Sequence, residues 1–225
     1  MSKANYQKEL DKILDGIRDR GDRPRLLLHV CCAPCSSYVL EYLTNYFQIT
    51  ILFYNPNISP ESEYAFRLEE LERLIEEAGY GDCVNLVEGS YDPSSFLEMA
   101  KGMEDLPERG ARCYHCYELR MREAAREAAR LGADYFTTSL SISPHKNADW
   151  INEIGSRLEK EYGVLHLPSD FKKKSGYLRS IELSRQYNLY RQNYCGCIFS
   201  KQEAERREAA NAAGITQAVR QKADA

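Results

Sequence analysis

Hydrophobic positions alternate along the chain between short apolar runs and longer stretches with helical spacing. Five runs have the make-up of strands: RLLLHV, ITILFY, CVNLVE, DYFTTSL and GVLHLP. Their near-continuous apolar character is the mark of strands buried on both faces. The opening stretch YQKELDKILDGIRDR puts Tyr6, Leu10, Ile13, Leu14 and Ile17 on one helical face and closes at Gly21 and Pro24. Helical patterns follow in CSSYVLEYLTNYF, EYAFRLEELERLIEEAG, CYELRMREAAREAARLG, NADWINEIGSRLEKEYG and GYLRSIELSRQYN. Ser59-Pro60 reads as an N-cap followed by proline at the first helical position. Strands alternating with helices predict an α/β fold in three layers around a parallel sheet. The expected organisation is one α/β domain over residues 1–200. Within it, 1–22 hold the N-terminal helix and 170–200 a basic, aromatic segment. Residues 201–225 read as a charged, helix-prone tail with a frayed end.

Composition narrows the class. Hydrophobic residues make up 43% and charged residues 28%, the balance of a soluble globular chain large enough to bury a core without disulfide staples. No apolar run approaches a membrane span, and MSKANYQKELDKIL lacks the apolar centre of a secretory signal. The expectation is a cytoplasmic protein without a membrane partner, and in that reducing setting cysteines do not form a structural disulfide framework.

Seven of the eight cysteines fall in three tight groups: Cys31, Cys32 and Cys35; Cys113 and Cys116; Cys195 and Cys197. Clustering is what metal or redox chemistry requires, whereas the lone Cys83 reads as a small buried hydrophobe. Cys31 and Cys32 follow the first predicted strand, at the end of a parallel sheet where ligands gather. In a regular strand adjacent side chains face opposite ways, so these two converge only where the strand stops, with Pro34 restricting the backbone. Cys35 opens the next helix and is available to either. Cys113 and Cys116 share one face at a helix start, where the helix dipole favours thiolate. The stripe Met121, Ala124, Ala125, Ala128 and Leu131 is expected to pack inward behind them. His115 between them reads as a bystander more often than a ligand. Cys195-Gly196-Cys197 is either a two-electron thiol store or a further pair of ligands. Four thiolates suit zinc or an iron–sulfur cluster; ligands drawn from segments so far apart favour iron–sulfur.

A net charge of −4 argues against non-specific nucleic-acid binding. Its distribution is uneven, however. Lys172, Lys173, Lys174, Arg179, Arg185 and Arg191 outnumber Asp170 and Glu182 in one stretch, interleaved with Phe171, Tyr177, Tyr187, Tyr190 and Tyr194. Basic residues with aromatics suit a phosphate backbone and unstacked bases; a solvated helix face with half-buried tyrosines is the bland reading. In SLSISPHKN, His145 and Lys146 are candidates for phosphate binding or proton donation, or simply for the start of the helix near Asn147.

Five motifs in order, LLLHVCCAPCSSYVL, YNPNISPESEY, RCYHCYELR, TTSLSISPHKN and DFKKKSGYLRSIELSRQYNLYRQNYCGC, resemble the cobalamin-independent epoxyqueuosine reductase family, QueH, from about Leu26 to Ser200. The resemblance implies a Rossmann-like domain of the nucleotide α-hydrolase, PP-loop-related group, in which CCAPCSS occupies the place of the glycine-rich phosphate loop. It implies reduction of the epoxide of epoxyqueuosine at the wobble base of tRNA, the last step of queuosine synthesis. It also implies a 4Fe–4S cluster on Cys31, Cys32, Cys113 and Cys116 and a redox-active pair at Cys195 and Cys197. A further iron beside the cluster would be served by Cys35 or a CxC thiolate. The implied partners are tRNA carrying epoxyqueuosine in its anticodon loop, held by Lys172, Lys173, Lys174, Arg179, Arg185, Tyr190 and Arg191, and an electron donor that the sequence does not identify. His145, Lys146 and Tyr194 are candidate proton donors. Two other functions compete: a cluster-dependent tRNA sulfur transferase, against which the missing glycine loop speaks, and a zinc-stabilised RNA-binding module without catalysis.

Overall fold

The computed structural model describes residues 4–223, with side chains through residue 211. Its elements are α1 (Tyr6–Arg20), β1 (Arg25–His29), α2 (Ala33–Leu43), β2 (Gln48–Phe53), α3 (Glu61–Glu77), β3 (Val84–Glu88), α4 (Pro93–Ala100), α5 (Ala111–Leu131), β4 (Tyr135–Thr138), a 3-10 turn (Ser139–Ile142), α6 (Ala148–Tyr162), β5 (Leu165–His166), α7 (Gly176–Gln186) and α8 (Ile198–Ala223). All five predicted strands form, as one parallel sheet in the order β3-β2-β1-β4-β5.

The alternation of strand side chains divides the core in two. Leu26, Leu28, Ile49, Ile51 and Phe53 face one layer, with α1, α2 and Tyr64 and Leu71 of α3. Leu27 and Leu52 face the other, against Met121, Ala124, Ala125 and Ala128 of α5 and Ile151, Ile154 and Leu158 of α6. The three-layer α/β expectation therefore holds. Leu131, expected to end the inward stripe of α5, is instead 37% exposed, because the helix has already reached its C-cap at Gly132. The N-terminal helix matches its predicted span, with the Asn5 side chain accepting from the Lys8 N–H and Gly21 closing it at φ 68°.

Two helix starts differ from expectation. At α3 the cap is Pro60, whose carbonyl accepts from Glu63 and Tyr64; Ser59 instead donates its backbone N–H to Gly196 and serves another loop. The short helix α4 escapes a search for long periodic stretches, although Asp92-Pro93 is a proper start signal and the Asp92 carboxylate accepts from the Ser94 N–H. The tail forms α8, and the fraying expected at its end falls outside the described side chains. Among the described residues no helix is long and apolar enough to cross a membrane.

The sheet order matters for function. From β1 the chain builds outward through β2 and β3, then returns to lay β4 on the other side of β1. The loops after β1 and β4 consequently diverge from neighbouring strand ends and leave a crevice between them, the place where parallel sheets bind ligands. Cys31, Cys32 and Cys35 leave from one side of it and Ser139 to Lys146 from the other.

Candidate active site

The first cysteine group is built by one turn. β1 stops at His29, whose buried ring links Thr138 Oγ1 (2.8 Å) to the Tyr54 carbonyl (3.1 Å). The Asn55 amide braces the next carbonyl, Val30, at 2.8 Å. Cys32 is fully extended at φ −170° and caps α2, with Pro34 in the first turn, where a missing N–H costs nothing. This geometry turns the adjacent side chains toward each other: the Cys31 and Cys32 sulfurs lie 3.9 Å apart, and with Cys35 all three are within 4.8 Å of one another. Hydrogen bonds from Cys32 and Cys35 hold the Cys31 thiol well below its ordinary range. Cys32 is pushed up to about 12 by the same bond to Cys31, and Cys35 rises for the same cause.

The second group is assembled from distant segments. Arg112, buried at the start of α5, donates from Nη1 to the carbonyls of Met103, Glu104 and Leu106 and so fixes the loop ahead of the helix. In that loop the Arg109 N–H points at Cys113 Sγ, 3.3 Å away. Cys116 lies one turn further along α5, and burial pushes its thiol up to about 12. Facing them is the Cys195-Gly196-Cys197 turn. Arg67 of α3 donates to the Cys195 carbonyl (3.1 Å), and Ser59 to the Gly196 carbonyl (3.0 Å). Gly196 has φ 117°, and a Cβ there would meet Arg67 Nη1 at 2.9 Å, so only glycine fits the turn. Cys197 immediately precedes α8, where the Ser200 N–H donates to its sulfur at 3.3 Å. Burial raises both Cys113 and Cys197, opposed by those backbone donors. Lys146 Nζ sits 2.8 Å from Cys195 Sγ, with Glu108 at 4.0 Å.

Two adjacent cavities join the groups. The larger, about 580 Å³, has Cys31, Cys32, Cys35 and Cys195 in its lining; the smaller, about 10 Å³, has Cys113, Cys116, Cys195 and Cys197. Cys195, Lys146 and Glu108 border both. Seven clustered cysteines are thereby gathered at one end of the sheet, all free thiols, while Cys83, expected to be buried, is only partly so and packs at the edge of the core. The donor set fits a soft, thiolate-bound metal or cluster.

The basic segment is dispersed by the fold. Lys172 pairs with Asp170, Lys174 with Asp11 (2.7 Å), and Arg179 with Glu41 (2.7 Å) and Glu182 (3.0 Å). Lys173 and Arg185 are exposed. Tyr190 stacks edge-on against Phe66, with ring centroids 5.0 Å apart. Of the residues read as RNA-binding, Arg191 alone lines the large cavity, donating to Ser184 Oγ at 3.0 Å. His145, Lys146 and Tyr194 line it too; His145 is hydrogen-bonded to Arg109, and Tyr194 lies under the Arg67 guanidinium. His115 is half exposed beside Glu118 and takes no part. Sequence reading missed Arg67, Arg109 and Arg207 in the cavity wall, and Arg120 and Asn57 beneath it. Arg67, Arg109 and Arg207 come from segments whose local pattern reads as ordinary helix or loop, whereas Asn57 and Arg120 lie inside the motifs YNPNISPESEY and RCYHCYELR, where spacing alone gives them no role.

A Rossmann-like parallel sheet with thiols gathered at its switch point defines a class of α/β proteins that carry cysteines where ligands bind. Within that class the chain belongs to the epoxyqueuosine reductase QueH family, whose family model matches residues 26–203. It is 47% identical to the epoxyqueuosine reductase QueH of Staphylococcus epidermidis over 88% of this chain and 85% of the relative. The Streptococcus pyogenes protein of the same name is 42% identical, covering 88% and 78%. The Thermotoga maritima protein is 36% identical, covering 81% and 92%. Neither sulfur transfer nor a non-catalytic RNA-binding role finds support among these relatives.

Proposed function

We propose that this epoxyqueuosine reductase works through an iron–sulfur centre and a CxC dithiol, acting on the modified wobble base of tRNA inserted into the large cavity. The observation that carries the reading is the position of Cys195, which borders the substrate-sized cavity and the small thiol-lined one at once. Cys31, Cys32, Cys113 and Cys116 are the proposed cluster ligands, with Cys35 or a CxC thiolate available to an additional iron. Bound there, such a centre supplies one-electron transfer and a Lewis acid for the epoxide oxygen.

The chain's own residues account for the rest. Reduction of an epoxide to an alkene consumes two electrons and two protons and releases the oxygen as water. Oxidation of the Cys195 and Cys197 thiols to a disulfide yields the same two electrons and two protons, so one dithiol balances one turnover. An external reductant of the dithiol-donor class then restores the pair. Lys146 holds its ammonium on Cys195 Sγ with Glu108 beside it, so it would serve as proton source and positive charge at a sulfur that lines the large cavity. Tyr177 and Tyr194 offer rings for stacking a base drawn out of the anticodon loop, and Arg109, Arg191 and Arg207 line the cavity where flanking phosphates would pass.

The test is single-turnover reduction of epoxyqueuosine-containing tRNA by anaerobically prepared protein, with iron and acid-labile sulfide measured on the same sample. Loss of one oxygen from the modified nucleoside, in protein carrying iron and sulfide, supports the proposal. Turnover by protein that holds zinc and no sulfide would remove the iron–sulfur part.

A further inference from the structure

Three arginines are buried near the cysteines, and among the described residues Arg120 differs from the other two in having neither a carboxylate nor a carbonyl at its terminal nitrogens. Arg67 pairs with Glu63 at 2.8 Å, and Arg112 is satisfied by three loop carbonyls. Arg120 has no such arrangement. It lies one turn after Cys116 on α5, is 1% exposed, and donates from Nε to the Cys116 carbonyl at 3.2 Å. Its Nη2 is buried without a hydrogen-bond partner, and no carboxylate pairs with it among the described residues. Arginine does not shed its charge in a protein, and a buried charge without a counter-ion is strongly unfavourable.

Asn57, from the loop after β2, lines the same small cavity, is 2% exposed, and leaves both Nδ2 and Oδ1 unpartnered. Two buried donors without acceptors at one cavity call for a missing partner. The free space there, about 10 Å³, admits an atom rather than a molecule. A water would satisfy the Asn57 amide but leave the guanidinium unneutralised. The groups facing Arg120 are the Cys116, Cys195 and Cys31 sulfurs and the Tyr117 phenol, together with Lys146 and His29, which bring no negative charge, so a counter-charge there has to come from sulfur.

We infer that Arg120 and Asn57 are positioning residues for the thiolate-held centre: Arg120 Nη2 and Asn57 Nδ2 donate to an anionic sulfur of it, thiolate or sulfide. Arg120 also supplies the buried positive charge that favours the reduced, more negative state. This inference rests on the iron–sulfur reading above.

The experiment compares the anaerobically loaded protein with Arg120→Gln, Arg120→Lys and Asn57→Ala. It measures iron and sulfide content and the midpoint potential by electron paramagnetic resonance titration. The expected result is a more negative midpoint in Arg120→Gln, a smaller negative shift in Asn57→Ala, and a value near the parent's in Arg120→Lys. Equal midpoints in all four proteins, each carrying iron and sulfide, overturn the inference and leave the iron–sulfur reading intact. A parent protein without iron and sulfide takes both down. Should Arg120→Gln fail to fold, a crystal structure of the loaded parent decides. Nη2 within hydrogen-bonding reach of a sulfur supports the inference, and Nη2 bonded only to water or a carbonyl overturns it.

Discussion

The two cysteine groups of this protein reach similar crowding by opposite means. Cys31, Cys32 and Cys35 are brought together by one strand end and one helix start, so local backbone geometry is enough to place their sulfurs. Cys113, Cys116, Cys195 and Cys197 meet only because α5, the loop before it, the turn ahead of α8 and Arg67 of α3 all pack correctly. The triad is therefore robust to distant change, and the second group is sensitive to it. The second group is also where the buried polar partners concentrate: Lys146 on Cys195, Ser200 on Cys197 and Arg109 on Cys113.

The strongest way to break the comparison is at the CxC pair itself. Cys195→Ser and Cys197→Ser should each abolish multiple-turnover epoxide reduction while acid-labile sulfide stays at the parent level; full multiple turnover in both variants would refute the redox-pair role. Next in size is Arg67→Met, which strands Glu63 and frees the Cys195 carbonyl. It should cost about 3 kcal/mol in urea unfolding. A cost under about 0.5 kcal/mol would show that the CxC turn holds itself. Gly196→Ala should follow, destabilising by about 1–3 kcal/mol through its left-handed backbone and the contact with Arg67. In that variant the spacing of the triad sulfurs should be unchanged in a crystal structure. Movement of the triad would break the claim that it is locally determined.

Acid offers a smaller handle remote from both groups. His166, on β5, is buried against Phe136, its Nε2 has no partner, and burial lowers its pKa from 6.5 to about 4. Because the folded value is depressed, its contribution is complete above about pH 6.5 and is lost as pH falls through about 4. That loss amounts to at most about 3 kcal/mol. Unfolding free energy measured across that window should fall less steeply in His166→Gln than in the parent, the remaining fall coming from buried His29, which burial also lowers to about 4; an identical slope in both would assign the acid sensitivity elsewhere.

Much of this architecture was legible in the chain. The apolar blocks correspond to all five strands, and the CC pair at a strand end marks the switch point in the sequence itself. The basic segment was read less well. Lys174 and Arg179 looked free because their partners, Asp11 and Glu41, belong to other helices, and no local pattern reveals such pairing. The cavity arginines were invisible for the reverse reason. Arg67 sits in EYAFRLEELERLIEEAG, where an arginine among glutamates reads as one more solvated charge, yet it is 1% exposed. Helical periodicity finds the apolar stripe of α3 and cannot tell which polar residue the next layer will cover.

The placement of Cys195 on the wall between the two cavities also has a consequence in time. A chain leaves the ribosome at about 5–20 residues per second, so the roughly eighty residues between Cys116 and Cys195 take on the order of 4–16 seconds to appear. For that interval the nascent polypeptide already carries Cys31, Cys32, Cys35, Cys113 and Cys116. The partition between the cavities still lacks its CxC turn and α8. The small cavity is therefore completed by the segment synthesised last, after every other clustered thiol has already left the ribosome.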